Sequence, residues 1–245
     1  MKLVLMCDGD VGLKIGEWLL NNYREDVSLA VALPNSEVNR FFKSENVATI
    51  DYQSEKKLCE YLSLNERYDL GLLVWWPKII SKQLIVATKN GFINTHPSYL
   101  PFNRGKHFSF WAIVEQVPFG VSLHLVDSGI DSGPVIAQSR IDYDWEDTGG
   151  SLYSKAKEAM FELFVATYPA IRQLNYPIVL QDLQQGSFHD SKEIKDASTI
   201  KLDDQYVARD LLNLLRAKMF QGHSPCFFED NGKVYDVRIS IVRRP

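Results

Sequence analysis

The sequence predicts an α/β protein: a Rossmann-like, mostly parallel sheet flanked by helices, with a small C-terminal helix-plus-β-hairpin appendage. Three stretches carry that prediction. The chain opens with LVLMC, DGDVG and LKIGEWLLNNY, which read as strand, glycine turn and helix in succession. LGLLVWW at 70–76 is apolar enough to be covered on both faces, as a central parallel strand is. Near the other end, CFFED and KVYDVRISIV flank an Asn-Gly dipeptide, a strong hairpin signal.

Between these landmarks the pattern alternates strand and helix. VSLAVAL (27–33) is a second strand, SEVNRFFKSEN a helix with Ser36 as N-cap, ATI (48–50) a short strand and SEKKLCEYL (54–62) a helix. SKQLIVATKNG is a short helix stopped by Gly91, and HFSFWAIVEQ (107–116) another, with its aromatics toward the sheet. GVSLHLVD (120–127) alternates with Val121, Leu123 and Leu125 on one face, and VIAQSRI (135–141) is its neighbour. From Thr148 to about Leu174 apolar residues recur at helical spacing. After Tyr176-Pro177 the texture turns polar and turn-rich, as in a linker or surface loop, followed by an amphipathic helix over 202–220. These shifts place a main domain at 1–180 and a small C-terminal region at 181–245.

Composition excludes several classes. With 45% hydrophobic and 24% charged residues, the chain has enough apolar content to fold and is not a disordered sequence. A net charge of −4 argues against a general polyanion binder and so against a nucleic-acid partner. Cys7, Cys59 and Cys226 are scattered and odd in number, which fits neither a disulfide framework nor a zinc site and suits the reducing cytoplasm. LVLMC is too short for a signal-peptide core, and no run approaches the roughly 18–20 apolar residues of a membrane span.

The chemistry concentrates in GFINTHPSYLPFNRG (91–105) and VDSGIDSG (126–133). In a strand, Asn94 and His96 project to one face and Ile93 and Thr95 to the other. Pro97 keeps His96 extended, at the end of a sheet strand where open α/β folds place ligands. Asp131, between Gly129 and Gly133, supplies an acid on a loop whose glycines let backbone pass close to a ligand. An amide, an imidazole and a carboxylate together point to acyl transfer or hydrolysis. DGDVG, with glycines only at 9 and 12, lacks the full dinucleotide-binding fingerprint and reads as a tight turn.

The string INTHPSYLPFNRGKHFSFWAI…PFGVSLHLVDSGIDSGPVIAQ resembles the formyltransferases that use 10-formyltetrahydrofolate: Asn-x-His, Ser-x-Leu-Pro, Arg-Gly and Asp-x-Gly-Ile-Asp-x-Gly all recur. HPSYLP-x-NRGKH and the tail LLRAKMF…FFEDNGKVYDVRISI are most similar to the sugar N-formyltransferases, which act on dTDP-linked amino-dideoxyhexoses. The resemblance is strong over about 91–138 and weaker over the remainder of 1–175. It implies the formyltransferase fold and formyl transfer to the amine of a dTDP-linked 3- or 4-amino-dideoxyhexose, for surface polysaccharide of the O-antigen type. It also implies that Asn94 and His96 flank the formyl oxygen while Asp131 orients His96 and helps take the amine proton.

Folate contacts in the family run largely through main chain, here at Ile79, Ile80, Asp127, Ser128, Gly129 and Ile130; both isoleucines are equally readable as core. Lys78, Tyr99, Asn103, Arg104 and Lys106 map to the sugar and pyrophosphate side, and Arg216, Lys218 and Phe220 to the nucleotide. The resemblance implies no metal. The terminal hairpin offers an edge for a homodimer. Two rivals within the family are a methionyl-tRNA formyltransferase and a formyltetrahydrofolate hydrolase. The first needs clustered positive charge, yet residues 180–245 carry equal numbers of basic and acidic side chains. The second has no use for an amine acceptor or for the tail.

Overall fold

The computed structural model describes residues 1–65 and 67–244. In chain order the elements begin β1 (Leu3–Cys7), α1 (Gly9–Tyr23), β2 (Val27–Ala32), α2 (Glu37–Ser44), β3 (Thr49–Asp51), α3 (Glu55–Leu64), β4 (Leu70–Val74), α4 (Lys82–Ile85) and β5 (Phe92–His96). They continue with β6 (Arg104–Gly105), α5 (Phe108–Val114), β7 (Phe119–Leu125), β8 (Val135–Ile141) and α6 (Gly149–Arg172). The remainder is β9 (Phe188–His189), α7 (Glu193–Ala197), α8 (Ala208–Ala217), β10 (Cys226–Asp230) and β11 (Lys233–Val237).

Seven strands form one sheet in the order β3-β2-β1-β4-β5-β7-β8. Pairings from β3 through β5 are parallel, and β5 pairs antiparallel with β7. The mostly parallel α/β architecture expected from the sequence is therefore the one observed. Continuous apolar runs explain it: β1 and β4 are buried at every position, which a strand covered on both faces requires. Ser36 and Ser54 cap α2 and α3, accepting from the amides of Asn39 and Lys57.

Three expectations need correction. The apolar run at 70–76 leaves the ladder at Val74, because Trp75 takes a left-handed φ of 55°. The helix expected over 202–220 spans only Ala208–Ala217; Lys201 N donates to the Tyr206 hydroxyl in a turn that precedes it. The stretch after 181 is not a structureless linker, since Phe188–His189 pairs with Arg104–Gly105 as a short parallel ladder.

The chain groups into two compact units. The first comprises 1–96, 122–138 and 160–181, and it holds the core built on β1, β2, β4 and β5. The second comprises 97–121, 139–159 and 182–245. Within it α5 packs on α8, and β10 and β11 form the antiparallel hairpin that Asn231-Gly232 predicts. No helix among the described residues is long and apolar enough to cross a membrane.

One buried charge ties the first unit together. Asp26 is 0% exposed, and its carboxylate accepts from the Tyr168 hydroxyl at 2.9 Å, Arg172 Nε at 2.7 Å and the Met1 ammonium at 3.2 Å. Burial pushes the carboxyl up, but the Arg172, Tyr168 and Met1 bonds together outweigh it and hold it below the ordinary aspartate value. A depressed carboxylate stabilises the fold above the unfolded-chain value, about pH 3.9, and that stability is lost as pH falls through the folded value. Asp26→Ala is expected to cost about 3–5 kcal/mol at neutral pH, as breaking a buried pair does. Urea unfolding checks this, and the gap between variant and wild type should shrink below about pH 4.

Candidate active site

The site starts from sheet register. In the antiparallel β5–β7 pair, Asn94 lies opposite His124 and His96 opposite Ser122. Side chains on one face of such pairs meet, so the alternation of β5 and β7 brings four polar residues together at the end of the sheet. On the other face Thr95 is 4% exposed; its hydroxyl donates to Leu73 O at 3.2 Å and accepts from Trp75 N at 3.1 Å. That clasp fixes the end of β4 to β5 just beside Asn94.

Asp131 reaches this cluster from the loop after β7. It sits at a φ of 50°, a left-handed conformation few non-glycine residues adopt. Its Oδ2 lies 3.4 Å from His96 Nδ1, and its Oδ1 accepts from Asn94 Nδ2 at 3.2 Å. Gly133 makes the loop's close passage feasible, since a Cβ there would lie 1.8 Å from Leu125 O. Asn94, His96 and Asp131, which the sequence puts forward together, thus meet around the Asp131 carboxylate.

His124 belongs to the same group and was missed. It is 2% exposed, and its Nε2 lies 3.1 Å from Asn94 Nδ2 and 3.5 Å from Asp131 Oδ1. Its Nδ1 lies 2.9 Å from Leu125 O, an acceptor, so Nδ1 carries a proton. In the neutral ring Nε2 is then an acceptor for the Asn94 amide. Asn94 Nδ2 is accordingly shared between the Asp131 carboxylate and the His124 ring.

Of the residues expected on the folate side, most are open. Ile79 is 73% exposed and Ile130 38%, whereas Ile80 is buried at 8%. Residues 77–80 lie outside helix and strand, so their peptide groups belong to no ladder. Asp127, Ser128 and Gly129 are exposed, with Asp127 Oδ1 accepting from Gly129 N and Ser132 Oγ. Exposed apolar side chains beside open peptide groups suit a flat heterocycle with amide-like edges. Lys78 is exposed, with its ammonium 5.7 Å from the centre of the Tyr52 ring.

The other residues expected on the substrate side lie in the second unit. Asn103 is 1% exposed and its amide donates to Glu115 Oε2 at 2.9 Å and Ser187 Oγ at 3.2 Å. Arg104 and Gly105 form the short ladder with β9, Tyr99 is half-buried and Lys106 exposed. Arg216, read as a phosphate ligand, is 5% exposed and gives its guanidinium to Asp144 O, Asp147 O (2.8 Å) and Asn213 Oδ1 (2.9 Å). Burial pulls it below its ordinary value. Lys218 Nζ donates to Ser224 O at 2.9 Å, and Phe220 packs edge-on against Tyr153 and His223. A cleft of about 520 Å³ in this unit is lined by Phe119, Arg140, Tyr143, Trp145 and Arg209 among others, and no catalytic candidate lines it.

Fold and cluster together define a class: an α/β enzyme with an amide, an imidazole and a carboxylate at a strand end, built for acyl transfer. Residues 24–168 match the formyl transferase family, and the chain belongs to that family. Residues 193–243 match the N-formyltransferase dimerization C-terminal domain. The dTDP-4-amino-4,6-dideoxyglucose formyltransferase of Mycobacterium tuberculosis is 28% identical over 177 residues, covering 72% of this chain and 74% of that one. The methionyl-tRNA formyltransferase of Thermodesulfovibrio yellowstonii is 32% identical over 188 residues, 74% of this chain but 55% of that one. Among solved structures, the Helicobacter canadensis N-formyltransferase in complex with folinic acid and dTDP-3-aminofucose superimposes with a TM-score of 0.77. It shares 20% identity and covers 95% of this chain and 85% of its own.

Proposed function

We propose that this enzyme moves the formyl group of 10-formyltetrahydrofolate to the amine of a dTDP-linked 3- or 4-amino-dideoxyhexose. The observation that carries the reading is the cluster of Asn94, His96, His124 and Asp131 at the open end of β5. The Mycobacterium and Helicobacter proteins, whose names specify dTDP-amino sugars, support the acceptor class. The exposed Ile79 and Ile130 with their open backbone fit the flat ring of a folate. When bound, the folate supplies an activated formyl carbon for the amine.

The chain's own residues would then act as follows. Asp131 facing His96 Nδ1 stabilises the imidazolium, whose Nε2–H donates to the oxygen of the tetrahedral intermediate. Asn94 Nδ2 lies against the His124 ring nitrogen at rest, and an oxyanion is the stronger acceptor for its N–H. The His96–Asp131 pair takes the amine proton and returns one to the departing folate nitrogen, so the exchange balances. Arg104 and Lys106 serve the sugar and pyrophosphate side, with Lys78 and Tyr99, whereas Asn103, buried with its amide on Glu115 and Ser187, braces that loop and is not a direct substrate contact. Lys218 and Phe220 serve the nucleotide. Arg216 acts there by fixing the 144–147 turn to α8.

We extend the reading to a cytoplasmic homodimer joined through β10 and β11, with a product destined for surface polysaccharide. Support for the dimer comes from the C-terminal domain match and from Val234 and Tyr235, exposed at 64% and 43% on the hairpin. The tRNA reading draws on the Thermodesulfovibrio relative, but about half of that protein's length lies outside the match.

Tetrahydrofolate release decides the matter. With a panel of dTDP-linked 3-amino and 4-amino sugars, release should depend on the amine and saturate with at least one sugar. Release at the same rate in water alone would support a hydrolase, and no amine-dependent turnover with any sugar would remove the proposal.

A further inference from the structure

We infer that Gln181 is a positioning residue for catalysis: it latches the Asp131 loop in its strained, reactive geometry. Its Nε2 donates to Asp131 O at 2.9 Å and to Gly133 O at 2.6 Å. One amide nitrogen therefore clamps two carbonyls of the loop whose side chain completes the site. All the residues involved belong to the first unit.

The latch is delivered by its own small ladder. Val179 pairs with Val135 as an antiparallel bridge, with Val135 N donating to Val179 O at 2.8 Å and Val179 N to Val135 O at 2.9 Å. That bridge fixes the segment two residues before Gln181 to the strand leaving the catalytic loop. The loop has reason to need it. Asp131 is held at φ 50°, a conformation that costs an aspartate free energy unless surroundings impose it. Its side chain reaches Asn94, His96 and His124 at 3.2–3.5 Å, so a shift of the loop would move the carboxylate off all three.

Chemistry selects glutamine at this place. Two carbonyl oxygens require two N–H donors from one point, which a primary amide supplies. Glutamate would set a carboxylate against two carbonyl oxygens. The orientation has a cost, because Gln181 Oε1 is buried without a partner among the described residues. An unsatisfied buried acceptor is unfavourable, so the amide is held this way round by the bonds on its other side. A residue that merely spaced a surface loop would face the opposite way or leave both ends in water.

The effect on turnover rests on the formyl-transfer reading; the latch itself does not. The test compares Gln181→Met, which keeps length and volume, and Gln181→Glu with wild type and with Gln184→Leu as a control. Each is measured for kcat, both KM values, thermal unfolding, and hydrogen exchange of the 127–135 peptide. In Gln181→Met, exchange of that peptide is expected to rise locally. Its kcat should fall about 10–100-fold, the scale of a small misplacement of a reacting group, with both KM values within about threefold. Gln181→Glu should lose at least as much, and Gln184→Leu should match wild type.

Unchanged exchange at 127–135 in both Gln181 variants would overturn the latch. Faster exchange with unchanged kcat would overturn its part in catalysis, as would a loss confined to KM or a uniform loss of stability. If wild type itself turns over no amine, the functional reading has failed, and the exchange comparison still decides the latch.

Discussion

Replacing His96 with alanine is expected to lower kcat by about 10²–10³ while leaving the protein folded, the loss seen when one preorganised oxyanion donor is removed. The geometry gives the reason. His96 is 5% exposed, and Asp131 Oδ2 stands 3.4 Å from Nδ1, so the ring is oriented with Nε2 presented outward from the pair. Asn94→Ala should cost a similar factor, because it removes the donor and also frees Asp131 and His124 from their shared amide. In both variants KM for the acceptor should change little, since the lost interaction belongs to the transition state. Stopped-time assays of tetrahydrofolate release, with circular dichroism as the fold control, check this. A His96→Ala enzyme within about threefold of wild type would remove the imidazole from the mechanism.

Asp131→Asn is expected to cost about 10²–10⁴ in kcat, the range for an acid–base group. It keeps shape but puts a neutral amide against His96, so the His96 imidazolium is no longer stabilised and the pair loses its carboxylate acceptor for the amine's proton. The same substitution should be strongly non-additive with His96→Ala. Groups that act as a unit lose most of their value when either goes, so the double variant should be little slower than the worse single one. Independent, multiplying losses would mean that the two residues do separate work.

The meeting of Asn94, His96 and Asp131 is legible because its signals are local. Asn94 and His96 sit two apart on an extended strand, Pro97 braces the end, and Asp131 sits among glycines. His124 does not stand out in GVSLHLVD, whose apolar face of 121, 123 and 125 dominates the pattern. Its other face, Ser122 and His124, carried the same two-residue alternation as Asn94 and His96, and antiparallel register placed one pair opposite the other. That signal was present in the chain, but only pairing gives it meaning.

Other features had no local trace. Gln181 lies fifty residues from Asp131, and nothing in QDLQQG says which carbonyls its amide will meet. Arg216 is placed at the nucleotide by the resemblance of the tail; its partners are the carbonyls of Asp144 and Asp147, and backbone acceptors are invisible in a sequence. Ile79 and Ile80, indistinguishable as letters, separate only by exposure, 73% against 8%. The sheet was read well because fully apolar runs such as β1 and β4 admit few placements. The tail helix was read too long because its polar N-terminal half kept helical letters while a Lys201–Tyr206 turn took the backbone.

The most direct test of the account follows the formyl carbon itself. Wild-type enzyme, 10-formyltetrahydrofolate carrying ¹³C in the formyl group and a dTDP-linked amino-dideoxyhexose are incubated, and the sugar is examined by ¹³C NMR and mass spectrometry. The account predicts that the label appears as a formamide on the sugar nitrogen with wild type, and at a rate lower by about 10² or more with His96→Ala. Label recovered as free formate, with every sugar of the panel unmodified, would contradict it.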